Sequence, residues 1–113
     1  MRGVSMNGTT LKQVQREVDE WISQYEEGYW PPLSMLASLI EEVGELAREM
    51  NYLEKIKKKK STEVDMDIGN ELADIFFSLM CIANYYEIDM QESFKKVIEK
   101  YTIRARERWT KKH

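Results

Sequence analysis

Apolar residues recur every three or four positions along four successive stretches of this chain, and nowhere do they settle into the two-residue alternation of a strand. That spacing puts one apolar stripe on each of four α-helices. In the first, residues 9–26, Leu11, Val14, Val18, Trp21, Ile22 and Tyr25 share a face, with Thr9 or Thr10 available as N-cap. Gly28-Tyr29-Trp30-Pro31-Pro32 ends it, because residues before proline avoid the α region. Proline then suits the first turn of the second helix, which runs from Pro32 into the mid-fifties through Leu33, Leu36, Leu39, Ile40, Val43, Leu46, Met50 and Leu53. The run Lys57-Lys58-Lys59-Lys60 reads as an exposed connection. The third helix, residues 63–86, carries Val64, Ile68, Leu72, Ile75, Phe76, Leu79 and Ile82. Asp89-Met90-Gln91-Glu92 has the layout of a capping box and opens the fourth, through about Trp109.

The expected fold is therefore all-α: an antiparallel four-helix bundle-like protomer, with residues 9–113 as a single domain behind a flexible N-terminal extension, residues 1–8. With 5 Gly and 2 Pro among 113 residues there is little turn chemistry for a many-stranded barrel. The second and third helices are apolar around much of their circumference, more than one protomer can cover. A homo-oligomer is the expected consequence.

Charge narrows the partners. A formal net charge of -3 argues against a nucleic-acid polymer, and no apolar run approaches the ~20 residues of a membrane span. The first residues lack the apolar stretch of a signal peptide, so the expected location is cytoplasmic. Cys81, the one cysteine, reads as a reduced core residue, and Trp21 and Trp109 as packing residues.

The chemistry lies in acids that do not belong on a core face. At ~100° per residue, Glu45 falls about 60° from Glu42, in the sector of Met35, Leu39 and Leu46. On the third helix Glu71 and Asp74 are likewise three apart, beside Ile68, Ile75 and Ile82, with Asp67 a turn earlier. Buried carboxylates are costly without a cation or a raised pKa. Two acidic pairs projecting from adjacent helices can build an oxygen-only site suited to Mg²⁺ or Mn²⁺. Carboxylates at the stripe's edge, paired with Lys or Arg in water, would look the same on a helical wheel.

Glu41-Glu42-Val43-Gly44-Glu45-Leu46 followed by Glu71-Leu72-Ala73-Asp74 resembles the E-E-x-x-E, then E-x-x-D, pattern of MazG-like nucleotide pyrophosphohydrolases. The likeness extends over residues 11–108, with Leu39-Ile40, Ala47-Arg48-Glu49 and Ile75-Phe76 in agreement. It implies an all-α enzyme, a dimer or dimer of dimers, that converts a nucleoside triphosphate to the monophosphate and pyrophosphate with Mg²⁺, Mn²⁺ being a possible substitute. Carried onto this chain, Glu42, Glu45, Glu71 and Asp74 would be the metal ligands. Glu41 would bind a second metal or orient or deprotonate the attacking water. His113, the only histidine, is terminal and excluded as a base, and there is no G-x-x-x-x-G-K-[ST] phosphate loop. Lys96, Lys100 and Arg104 form one stripe on the fourth helix and are the expected phosphate-binding residues. Trp30, Asn84 and Tyr85 are the candidates for the base. Two alternatives share these residues: a narrow-substrate relative (dUTPase-like, dCTP-specific or phosphoribosyl-ATP pyrophosphohydrolase), and a non-catalytic helical interaction module.

Overall fold

The computed structural model describes residues 8–56 and 61–112, the side chains of residues 56 and 61–67 excepted. The expected N-terminal extension apart from Gly8, the basic run Lys57-Lys58-Lys59-Lys60, and the Val64 and Asp67 side chains lie outside the described set. Four helices make up the fold: α1 (Leu11–Ile22), α2 (Pro32–Ile56), α3 (Ser61–Tyr85) and α4 (Met90–Arg108). No strand occurs among the described residues.

Each helix begins where its local chemistry dictates. Thr10, rather than Thr9, caps α1 in a full capping box: Gln13 N donates to Thr10 Oγ1 at 3.1 Å, and Thr10 N donates to Gln13 Oε1 at 2.7 Å. Pro32 opens α2, and the Pro31 carbonyl accepts from the Ser34 and Met35 amides. Asp89 caps α4 by accepting from Gln91 N and Glu92 N at 3.0 and 3.2 Å, and those bonds, led by Glu92's, hold its carboxyl below its ordinary pKa. The expected box at Asp89 is only half made, because the Glu92 side chain lies 4.0 Å from Lys95 instead of returning to the cap.

The first helix is shorter than its periodicity suggests. Ser23 ends α1, and residues 23–28 close a series of tight turns through Tyr25 N to Ile22 O and Gly28 N to Tyr25 O. Gly28 takes φ +63°, a left-handed conformation that turns the chain toward Pro31. At the other end of α3, Ile88 N reaches Ala83 O at 2.8 Å and Glu87 N reaches Asn84 O at 3.1 Å, the paired bonds of a Schellman motif. Glu87 occupies the left-handed position there, φ 54°, where glycine is usual. Glu87→Gly should therefore stabilise the protein by about 0.5–1 kcal/mol, read as a higher urea midpoint; an unchanged or lower midpoint would show the residue unstrained.

Packing runs in series. Helix α2 lies along α3, α1 packs on α3, and α4 leans mainly on α1. Among the described residues Met35, Met80, Cys81 and Ala83 are the buried apolar ones. The bundle is open: its radius of gyration is 17.5 Å, against about 13 Å for a compact chain of this length. Large apolar side chains accordingly remain in solvent, among them Leu33 at 78% and Ile40 at 62% exposure. Trp109 is not a packing residue: it lies beyond the last turn of α4 in extended backbone and is 75% exposed. No described helix is long and apolar enough to cross a membrane.

Candidate active site

The α2–α3 interface has an acidic centre. Along α2, Met35, Leu39, Glu42, Glu45 and Leu46 are all buried or half-buried and form the face turned to α3. From α3, Glu71 and Asp74 enter the same region. Glu42, Glu71 and Asp74 each bring one carboxylate oxygen to within 4.8 Å of the others.

Three like charges at that distance repel, and the arrangement registers it at Glu71. Its carboxyl contacts that of Glu42 closely enough to hydrogen-bond, which two carboxyls can do only by sharing a proton. That bond, then desolvation, then the charges of Glu42, Asp74 and Glu45 push the Glu71 pKa up to about 7. The buried Glu71 Oε2 has no hydrogen-bond partner among the described residues. Oxygens crowded together and left without donors suit a hard divalent cation, which would supply the missing positive charge. The site thus fits Mg²⁺ or Mn²⁺ by the chemistry of its donors.

A pH dependence follows for the metal-free protein. Glu71 titrates near 4.5 when unfolded and near 7 when folded, so between those values the folded chain holds more protons. Stability should therefore fall as pH rises from about 4.5 to 7, and saturating Mg²⁺ should flatten that slope. Thermal melts across this range, with EDTA or Mg²⁺, provide the check. A metal-free melting temperature that climbs over the same range would contradict the crowded cluster.

The other acids of the motif stand back. Glu45 reaches the cluster only at longer range, through its charge on Glu71, and its carboxylate pairs with Arg48 at 3.2 Å. Glu41 is exposed and outside the three-carboxylate group. Lys96, Lys100 and Arg104 all lie exposed on α4, which has no extensive contact with α2 or α3. Within one protomer none of the three forms an ion pair with the cluster among the described residues; the Lys100 ammonium rests 5.2 Å from the Tyr101 ring centroid.

One helical turn from the carboxylates an aromatic cavity of about 400 Å³ opens between α1, the 23–30 turn, α2 and α3. Trp21, Tyr25, Tyr29, Trp30 and Phe77 form much of its wall, and Ser38 and Ser78 line it too. Ser38 precedes Glu42 by four residues and Ser78 follows Asp74 by four, so both lie on the faces that carry the acids. A second groove is lined by Val14, Glu17, Val18, Trp21, Asp74 and Phe77; it shares Asp74 with the acidic cluster, and Trp21 and Phe77, edge to face at 5.8 Å, with the cavity. Trp21 is thus a half-exposed wall residue and not core packing.

Of the base candidates, Trp30 lines the cavity, whereas Asn84 and Tyr85 line neither depression. The Tyr85 ring packs edge-on against Tyr86 at 5.1 Å, and Asn84 hydrogen-bonds within the protein. Sequence reading passed over Tyr25, Phe77, Ser38 and Ser78. The only signal for the serines was their placement, one turn from the acids on otherwise apolar faces. Cys81 also reaches this wall, its thiol pushed up to about 11 by burial.

Residues 31–109 match the MazG nucleotide pyrophosphohydrolase domain. The uncharacterized protein YpjD of Bacillus subtilis (strain 168) is 45% identical over 107 residues, 95% of this chain and 96% of that one. The crystal structure of Bacillus subtilis YpjD superposes with a TM-score of 0.71 at 42% identity, covering 89% of this chain and 98% of the other. That of a Bacillus-conserved MazG protein, a nucleotide pyrophosphohydrolase, gives 0.70 at 38% identity over 85% and 93%.

Proposed function

This chain belongs to the MazG nucleotide pyrophosphohydrolase family, and on that premise we propose that it is a Mg²⁺-dependent enzyme converting (d)NTPs to (d)NMPs and pyrophosphate, with Mn²⁺ a possible substitute. The observation that carries this reading is the Glu42–Glu71–Asp74 cluster, whose Glu71 Oε2 lacks a partner. An interaction module with acids at a wet helix edge would pair them with Lys or Arg. Here Glu42 and Glu71 lie within hydrogen-bonding reach of each other and Asp74 crowds both, while Glu45 pairs with Arg48.

In this reading Glu42, Glu71 and Asp74 hold the metal, with Glu45 completing the set by releasing Arg48. Bound there, Mg²⁺ supplies charge neutralisation of the triphosphate and activation of water for in-line attack at the α-phosphorus. The new bond joins a water oxygen to that phosphorus, and the α–β bridging bond breaks to release pyrophosphate. Glu41, exposed beside the cluster, serves as a further ligand or takes the water's proton and passes it to solvent. The nucleoside lies in the aromatic cavity, which offers stacking surfaces from Trp21 and Trp30 and hydroxyls from Ser38 and Ser78.

The working unit in this proposal is a homodimer or homotetramer, a dimer or dimer of dimers. Leu33, Leu36, Ile40, Val43 and Met50 of α2 lie exposed at intervals of three, four and seven residues, a seam suited to a second copy. Because α4 carries Lys96, Lys100 and Arg104 away from α2, their expected place is on the triphosphate in a neighbouring protomer's site. The cellular setting we assign is cytoplasmic house-cleaning of nucleotide pools by a single domain.

The test is release of monophosphate and pyrophosphate from a panel of canonical and modified (d)NTPs, with Mg²⁺ and with EDTA. Both products in equal amounts, only with metal, support the proposal, and the rate ranking names the substrate. Release of orthophosphate instead, or turnover undiminished by EDTA, would overturn it.

A further inference from the structure

Six hydrogen bonds around Gln15 and Asn84 tie α1, α3, the start of α4 and the 23–30 turn into one network. Its core is saturated. Asn84 Oδ1 accepts from Gln15 Nε2 at 3.0 Å, and Asn84 Nδ2 donates to the Gln15 carbonyl at 2.9 Å and to Tyr29 Oη at 3.0 Å. Gln15 also donates to the Ile88 carbonyl at 2.8 Å, while its Oε1 accepts from Met90 N at 3.0 Å. Tyr29 Oη completes the line by donating to Asp19 Oδ1 at 2.7 Å. Both amide hydrogens of Asn84 are committed, so it holds none in reserve to read a base.

We propose that this network positions the nucleoside cavity, with Tyr29 as its pin and Asn84 and Asp19 as the partners that hold the pin. The inference rests on the reading of the aromatic cavity as the nucleoside site. Gly28, Tyr29 and Trp30 are consecutive and all line that cavity. The turn that carries them is otherwise held by short-range bonds such as Gly28 N to Tyr25 O, which fix its curvature but not its placement against α1 and α3. Trp30 itself is 60% exposed. The phenol of Tyr29 is therefore the polar anchor between this wall and the body of the protein. Burial, then the Asp19 bond, raises the Tyr29 pKa well above its ordinary value, so the hydroxyl stays a donor at every pH the enzyme meets. The anchor touches none of the three clustered carboxylates, so it governs where the base stacks and leaves the phosphate end alone.

The experiment compares Tyr29→Phe, Asp19→Ala, Asp19→Asn and Trp30→Ala with wild type. It measures kcat and KM for ATP, dATP and dCTP with Mg²⁺, and inhibition by inorganic tripolyphosphate, which has no base. Tyr29→Phe should raise KM about tenfold while leaving kcat within about twofold and tripolyphosphate inhibition unchanged. Asp19→Ala should follow it, and Asp19→Asn, which keeps an acceptor for the phenol, should restore wild-type KM. A Tyr29→Phe enzyme with wild-type KM, or one whose tripolyphosphate inhibition weakens in step with KM, overturns the positioning role. Trp30→Ala separates the two layers: unchanged KM there removes the nucleoside cavity and this proposal with it. Raised KM in Trp30→Ala beside unchanged KM in Tyr29→Phe removes the positioning role alone.

Discussion

Glu71→Gln should lower kcat for (d)NTP hydrolysis by about a hundred- to a thousandfold while raising the melting temperature of the metal-free protein at neutral pH. The two effects have one origin. Glu71 sits within hydrogen-bonding reach of Glu42 and under the charges of Asp74 and Glu45. A glutamine amide keeps the shape, donates to Glu42 without needing a shared proton, and removes one of the crowded charges. The fold gains what the metal site loses. Asp74→Ala and Glu42→Ala should cost activity on the same scale, with Glu45→Ala close behind if Glu45 leaves Arg48 to join the ligand set. Steady-state rates and melts in EDTA measure both sides. Wild-type turnover in any two of these variants would remove the metal site, and a lower metal-free melting temperature in Glu71→Gln would show that the carboxylates do not repel.

Ile40→Glu should dissociate the proposed dimer or dimer of dimers and abolish hydrolysis together. Ile40 is 62% exposed in the protomer and sits mid-way along the α2 seam of Leu33, Leu36, Ile40, Val43 and Met50. Burying one such side chain contributes about 1.5–3 kcal/mol, and a two-fold interface counts each residue twice. A charge placed there loses that contribution and adds a desolvation cost on both copies. Sedimentation should show a shift to monomer, with association weakened by at least about a hundredfold. Activity should fall with it, because the proposed phosphate stripe then has no neighbouring site to serve. Ile40→Ala guards against simple misfolding: it should dissociate partially and recover activity at higher protein concentration. An Ile40→Glu protein that stays associated and active would place the interface elsewhere.

The helices and the acidic pairs were legible in the sequence because both are local. A three- or four-residue repeat sets which side chains share a face whatever lies opposite, so Glu42 and Glu71 could be placed within or beside apolar stripes from spacing, though not inside the interface rather than at its edge. Where α1 stops was less legible. Tyr25 continues the periodic stripe, yet Ser23 ends the helix, since Gly28 and Pro31 demand turns that begin before the apolar pattern fades. Of the cavity only Trp30 was anticipated, and that through the family resemblance. Trp21, Tyr29 and Phe77 come from three segments, and only their packing brings them together. Asn84 illustrates the same limit: beside Tyr85 it looks available to a base, but its partner Gln15 lies 69 residues away in sequence. Nothing local announces that pairing.

The most direct test of the central claim, that Glu42, Glu71 and Asp74 together hold the catalytic divalent ion, is calorimetric titration of Mn²⁺ into wild type and Glu71→Gln at pH 6 and pH 8. Wild type should bind more tightly at pH 8 than at pH 6, because the ion displaces the proton that Glu71 holds up to about pH 7. Glu71→Gln should bind weakly and alike at both values. Equal affinity in the two proteins, or wild-type binding that ignores pH, would contradict it.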